Sequence, residues 1–314
     1  MESAENKIPP LPEVPSGLTG IQAHIESYEK LEGALKPDNH ARVIWNNPES
    51  PEKTTLALVY LHGFTASQGE GDPLHRSLAN KLGANLYLHR ITGHGLMNRD
   101  KTQPVDEQIW LQSARHALAI GHQIGKKVVL MGTSTGGTLA LYLAAYYREL
   151  VHSLLLYSPL IGFADQRIHL LEGTYVNRVA EVLFRKLKLE KQNRPVNPMW
   201  EKYWYTGYRF EEVLALVRLI KKYMGTETFQ RITQPLFLGY YYKNPKLQDS
   251  TVSIEAMLEM FDSVSTPERK KQKQSYPEAG NHVITSKFIS PHVIDSVISD
   301  SHRFIEKKAN DNAS

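Results

Sequence analysis

The stretch Val128-Val129-Leu130-Met131-Gly132-Thr133-Ser134-Thr135-Gly136-Gly137 joins an apolar run to a run of small residues through Gly-x-Ser-x-Gly. That spacing predicts a strand that turns sharply into a helix, with a serine at the apex. The turn closes only if the positions two before and two after the serine lack bulk, which Gly132 and Gly136 satisfy. A hydroxyl held in this way stands above the sheet edge, ready to act as a nucleophile. The amide of Thr135, at the N-terminus of the new helix, is then placed to stabilise an oxyanion.

A serine hydroxyl is a poor nucleophile until a base takes its proton, and the base works best when a buried carboxylate fixes its tautomer. Both partners are expected downstream, in the order Ser, Asp, His, on loops at the carboxyl ends of later strands. Of the 13 histidines, only His282 sits after the last predicted strand in a glycine-containing turn, Glu278-Ala279-Gly280-Asn281-His282. It is the candidate general base. Asp249, in Lys246-Leu247-Gln248-Asp249-Ser250, follows a predicted strand and precedes a helix, and it is the candidate acid. Asp165 is its rival, while Asp262 is read as lying within a helix. A second oxyanion donor is expected at the amide of Phe64, because Tyr60-Leu61-His62-Gly63-Phe64 ends an apolar strand in a small residue that lets the backbone turn. His62 and Gly93-His94-Gly95 are read as architectural. No metal site is expected: His-Glu-x-x-His does not occur, and His89 and His94 lack the helical spacing of a ligand pair. The glycines outside the serine turn form no dinucleotide fingerprint, so the predicted chemistry uses no cofactor.

These groups need a framework of alternating strands and helices, and the sequence supplies one. Strands are predicted at Ala41–Trp45, Thr55–Tyr60, Asn85–Leu88, Lys127–Met131, Ser153–Tyr157, Pro235–Tyr241 and Lys271–Tyr276. Helices are predicted at Leu18–Leu31, Pro73–Leu82, Asp106–Ile124, Thr135–Glu149, Ser253–Asp262 and Pro291–Lys308. Asp106 reads as an N-cap, with Trp110, Ala114, Ala117, Leu118 and Gly121 facing the sheet. Alternation of this kind predicts a doubly wound, mostly parallel sheet of about seven to eight strands. It breaks once, over 163–233, where Tyr175–Leu187, Met199-Trp200, Tyr203-Trp204-Tyr205, Tyr208 and Phe210–Tyr223 form a helical, aromatic stretch. We read that stretch as a cap, with Trp204 and Phe210 as candidate walls of a substrate pocket. The organisation is thus an extended lead-in over 1–40, a core over 41–162 and 234–314, and the cap between its halves.

Composition narrows the function. The chain has 314 residues, 41% of them hydrophobic, and no cysteine, which removes disulfides, thiolate nucleophiles and cysteine-based metal sites. No apolar run approaches the ~20 residues that span a bilayer. A net charge of +4 is mild. Positive runs such as Glu268-Arg269-Lys270-Lys271 lack the interleaved aromatics of a nucleic-acid surface and are read as solvated faces. The chain opens Met1-Glu2-Ser3-Ala4 with no charged-then-apolar leader, and its compartment and oligomeric state are left open.

Taken in order, His62-Gly63-Phe64, Gly93-His94-Gly95, Gly132–Gly136, Asp249 and Gly280-Asn281-His282 make the chain resemble the α/β-hydrolase superfamily from about Ala41 onward. Within it the combination looks most like the monoacylglycerol lipase and carboxylesterase branch. The resemblance implies a Ser134–His282–Asp249 triad and a helical cap. It implies a small-molecule ester substrate, cleaved through an acyl-enzyme, of short to medium chain length or a monoacylglycerol. Amidase, thioesterase and acyltransferase chemistry share the same triad, and a silent, binding-only fold is the remote alternative. Ser134 at the apex argues against the dehalogenases and epoxide hydrolases of this fold, which carry aspartate there. The usual N-terminal hairpin is shortened, since only Ala41–Trp45 reads as a strand before Thr55.

Overall fold

Three of the strands, Thr54–Leu61, Gly125–Thr133 and Ser153–Tyr157, carry near-continuous apolar runs, and that pattern demands cover on both faces. In the computed structural model, which describes residues 8–31, 33–98, 102, 104–171, 198–205, 207 and 209–309, they form the middle of one sheet. Its strands are β1 (Arg42–Ile44), β2 (Thr54–Leu61), β3 (Asn85–Leu88), β4 (Gly125–Thr133), β5 (Ser153–Tyr157), β6 (Leu236–Tyr240) and, after a short hairpin of β7 (Tyr242–Asn244) and β8 (Leu247–Gln248), β9 (Lys271–Ser275). The order is β1-β3-β2-β4-β5-β6-β9, with β1 antiparallel to β3 and every other pair parallel. All seven predicted strands are present, and parallel pairing puts the carboxyl ends of β2, β4, β5, β6 and β9 at one edge.

Helices cover both faces: α1 (Leu18–Lys30), α2 (Leu74–Lys81), α3 (Glu107–Ile124), α4 (Thr135–Tyr146), α8 (Ile254–Ser263) and α9 (Ile294–Phe304). The helices α5 (Pro198–Tyr203), α6 (Phe210–Tyr223) and α7 (Thr226–Gln230) lie between β5 and β6. Asp106 caps α3 as predicted, its side chain accepting the Ile109 N–H at 3.0 Å, a contact worth ~1 kcal/mol. Trp110, Ala114, Ala117, Leu118 and Gly121 are all buried against the sheet. Helix α4 is buried on nearly every side, because it packs against the sheet while α3 and α7 cover its flanks.

Several predicted ends shift. Helix α4 stops at Tyr146, and Arg148–Leu150 form a separate 3-10 turn. The last helix begins at Ile294 rather than Pro291, whose neighbours form turns. The hairpin of β7 and β8, read from sequence as loop, forms because the Asn244 side chain accepts the N–H groups of Lys246 and Leu247 and closes the turn. The expected helix at Tyr175–Leu187 and the aromatic Tyr208 lie outside the described residues.

Two long-range ties fix the N-terminal segment. Glu29 of α1 accepts the Arg90 guanidinium through both carboxylate oxygens at 2.8 Å, and the pair is buried. Residues 36–42 strap the end of α5. Lys36 Nζ donates to the carbonyls of Glu201 and Trp204, both at 2.9 Å, and Asn39 donates to that of Lys202 at 3.0 Å. Asp38 accepts the Tyr203 hydroxyl and pairs with Lys202 and Arg42. The carbonyls left open at the end of the helix are thereby satisfied from outside it.

Candidate active site

Ser134 sits at the apex between β4 and α4 with φ 53 and ψ −120, a conformation that a non-glycine residue adopts only under constraint. The constraint is visible. The Ser134 N–H donates to the Tyr157 carbonyl at 3.0 Å, and its own carbonyl accepts from Gly137, Thr138 and Leu160. Neighbouring positions must be bare. A Cβ at 132 would stand 2.5 Å from the Gly136 carbonyl oxygen, and one at 136 would run into the Leu61 carbonyl oxygen. The predicted serine turn is therefore present, with the hydroxyl at the carboxyl edge of the sheet.

His282 follows β9 in a turn whose Gly280 takes φ 61. Its Nδ1 lies 2.6 Å from Oδ2 of Asp249, which comes directly after β8 and has a fully buried side chain. Burial alone would raise the Asp249 carboxyl. The facing His282 and the N–H groups of Thr251 and Val252, donating to Oδ1 at 2.8 and 3.2 Å, outweigh burial and hold it below the usual range. With Asp249 ionised, the shared proton belongs to Nδ1–H, which donates to Oδ2 and leaves the lone pair on Nε2. That is the tautomer a general base requires. The rival Asp165 points elsewhere, with Oδ2 paired to Arg167 at 2.6 Å near the surface.

Of the expected oxyanion donors, Thr135 opens α4 and Phe64 follows Gly63 in the loop after β2. His62 is architectural, as its neighbours suggested. Its Nδ1–H donates to the Gly63 carbonyl at 2.9 Å and its Nε2 accepts the Ile91 N–H at 3.0 Å. Burial pushes the imidazole down to about 4, so it stays neutral. Trp204 is buried, stacks on Trp200 with centroids 4.7 Å apart, and packs with Ala66 and Tyr203. Phe210, half-buried, begins α6.

One residue at this edge was not foreseen. Glu70, in the 3-10 turn Gln68–Gly71, is buried, and its Oε2 accepts the Gly63 N–H at 2.6 Å and the Tyr60 hydroxyl at 3.2 Å. Burial pushes the carboxyl up to about 7, against the opposing pull of the Gly63 N–H, His282, Tyr60 and the Trp204 indole. Behind it, Tyr60 meets Thr133 at 3.1 Å, and the Thr285 hydroxyl donates to the Glu70 carbonyl at 2.9 Å. Among the described residues, no group of three or more histidine or acidic side chains could hold a metal ion. No helix among them is long and apolar enough to cross a membrane.

A family model described as serine aminopeptidase, S33, matches residues 52–279. A thermostable monoacylglycerol lipase from Bacillus sp. (strain H-257) is 29% identical over 103 residues, a stretch that covers 33% of this chain and 40% of that lipase's length. Among solved structures, one reported for the metagenome-derived lipolytic enzymes LipS and LipT aligns with TM-score 0.65 at 14% identity, covering 87% of this chain and 99% of its own. A soluble variant of monoglyceride lipase from Saccharomyces cerevisiae, in complex with a substrate analogue, aligns with TM-score 0.60 at 14% identity, covering 86% and 91%. At that identity the structural likeness speaks for the fold, which is that of the α/β hydrolases.

Proposed function

The chain belongs to the serine aminopeptidase S33 family of α/β hydrolases, and from that premise we propose that it hydrolyses carboxylic esters through an acyl-enzyme, with short- to medium-chain esters or monoacylglycerols as substrates. The observation that carries this reading is the bond of His282 Nδ1 to buried Asp249 at the strand edge where Ser134 is presented. In the proposed reaction, His282 Nε2 takes the Ser134 hydroxyl proton as Oγ attacks the substrate carbonyl. The N–H groups of Phe64 and Thr135 receive the oxyanion. Imidazolium, stabilised by Asp249, returns the proton to the departing alkoxide, and water repeats the sequence to free the acid.

The ester preference draws support from the lipase relative, while the matched family's description favours the amide alternative. Trp204 and Phe210 are proposed to bound the acyl pocket. Each buried methylene should then improve binding by ~0.8 kcal/mol until the pocket fills. The test is a graded series of p-nitrophenyl esters beside matched amides and thioesters, with organophosphonate labelling of the wild type and Ser134→Ala. We expect soluble esters of intermediate length to be preferred and label to reside on Ser134. Faster turnover of amides would move the protein to the alternative reading, and label on another residue would remove the nucleophile assignment.

A further inference from the structure

The triad leaves Glu70 without a task, although it adjoins the nucleophile. The point where a Cβ on Gly63 would stand is 2.7 Å from Glu70 Oε1 and 3.2 Å from Ser134 Cβ, so carboxylate and serine flank one backbone position. Gly63 is gripped at both of its polar groups: its N–H donates to Glu70 and its carbonyl accepts from His62. The peptide plane holding that carbonyl also holds the Phe64 N–H. His62 therefore fixes the plane of the second oxyanion donor, and Glu70 fixes the plane before it. Together they lock the glycine between.

Beside this carboxylate the chain beyond α5 is seated on the same loop. The Tyr205 N–H donates to the Thr65 carbonyl at 2.8 Å, and the Tyr203 ring fills the space where a Gly69 side chain would project. Two donors, the Gly63 N–H and the Tyr60 hydroxyl, converge on Glu70 Oε2. An ionised carboxylate holds both more strongly than a neutral amide can.

We propose that Glu70 is a positioning residue for acyl transfer, which locks Gly63 so that the Phe64 amide faces the oxyanion. The proposal rests on the assignment of Ser134 and the Phe64 amide made above. Loss of the lock misaims a donor that matters in the transition state, so it lowers kcat rather than substrate binding. Removing an oxyanion donor outright costs ~10²–10³-fold; loosening one should cost about 10-fold or more.

The test compares Glu70→Gln, Tyr60→Phe, which removes the other donor to Glu70 Oε2, and the double variant on one soluble p-nitrophenyl ester at alkaline pH, with Ser134→Ala in parallel. Each single variant is expected to lose about tenfold or more in kcat with KM held within about threefold. The double variant is expected to lose no more than the worse single one, because both break the same tie. Additive losses, an unchanged kcat in Glu70→Gln, or a raised KM with kcat held would overturn the positioning role. Should Glu70→Gln fail to fold, Tyr60→Phe decides by the same criterion on kcat. Turnover retained by Ser134→Ala would overturn the nucleophile assignment and the proposal with it. Turnover lost there but kept in Glu70→Gln overturns the positioning role alone.

Discussion

Ionising a carboxyl with no water around it burdens the fold, and at Glu70 the burden can be measured. Its ordinary value of 4.5 is pushed up to about 7 by burial. Below pH 4.5 the group is protonated whether the chain is folded or not, so it adds no pH dependence. Between 4.5 and 7 the unfolded chain has released the proton while the folded one retains it, so stability falls as pH rises. Above 7 both states are ionised and the loss is complete. The interval of about 2.5 pH units, at ~1.36 kcal/mol per unit, corresponds to about 3 kcal/mol. Glu70→Gln abolishes this titration, whereas whatever contacts it disturbs are disturbed equally at every pH. Urea unfolding of the two proteins in parallel, from about pH 4.5 to 8.5, should therefore show the variant gaining about 3 kcal/mol relative to the wild type across the window. A difference that stays constant with pH would refute the argument and place the ionised carboxylate in solvent-like surroundings.

Three further outcomes follow from the geometry. Asp249→Asn keeps the oxygen that accepts from Thr251 and Val252 but loses the anion facing His282; turnover should fall by up to ~10⁴-fold with little change in melting temperature. Asp165→Asn, which only releases Arg167, should stay within about twofold of wild type in the same assay. Glu29→Ala strands the Arg90 guanidinium in the interior, and denaturant titration should register a loss of about 3–5 kcal/mol.

Most of the sheet was legible because its central strands are apolar on both faces and its helices carry their own start signals, as Asp106 does. The serine turn was legible for a steric reason, since few sequences need glycine both two before and two after a serine. Asp249 and Asp165 each follow a strand, and the sequence favoured Asp249 for its place just before a helix. What it did not show is the hairpin of β7 and β8 that brings Asp249 to His282. Glu70 was not legible at all. Between two glycines and after a glutamine it reads as part of a solvated turn, yet Tyr60 and Thr285 bond to it and Tyr203, more than 130 positions away, packs on its turn. The strap at Lys36, Asp38 and Asn39 was hidden in the same way, because polar residues after a proline-rich stretch give no sign of a distant helix end to serve.

That strap bears on how such proteins can be recombined. A graft taken between β5 and β6 looks modular in the sequence, since it enters and leaves at neighbouring strands. In this protein the recipient would also have to supply matching side chains at 36–42, about 165 positions upstream of the carbonyls they serve. A transplanted α5 lacking them would end in open acceptors beside Trp204. The unit that can be exchanged is thus discontinuous. Mutagenesis libraries that leave residues 36–42 untouched would omit positions that set how Tyr203 and Trp204 are held.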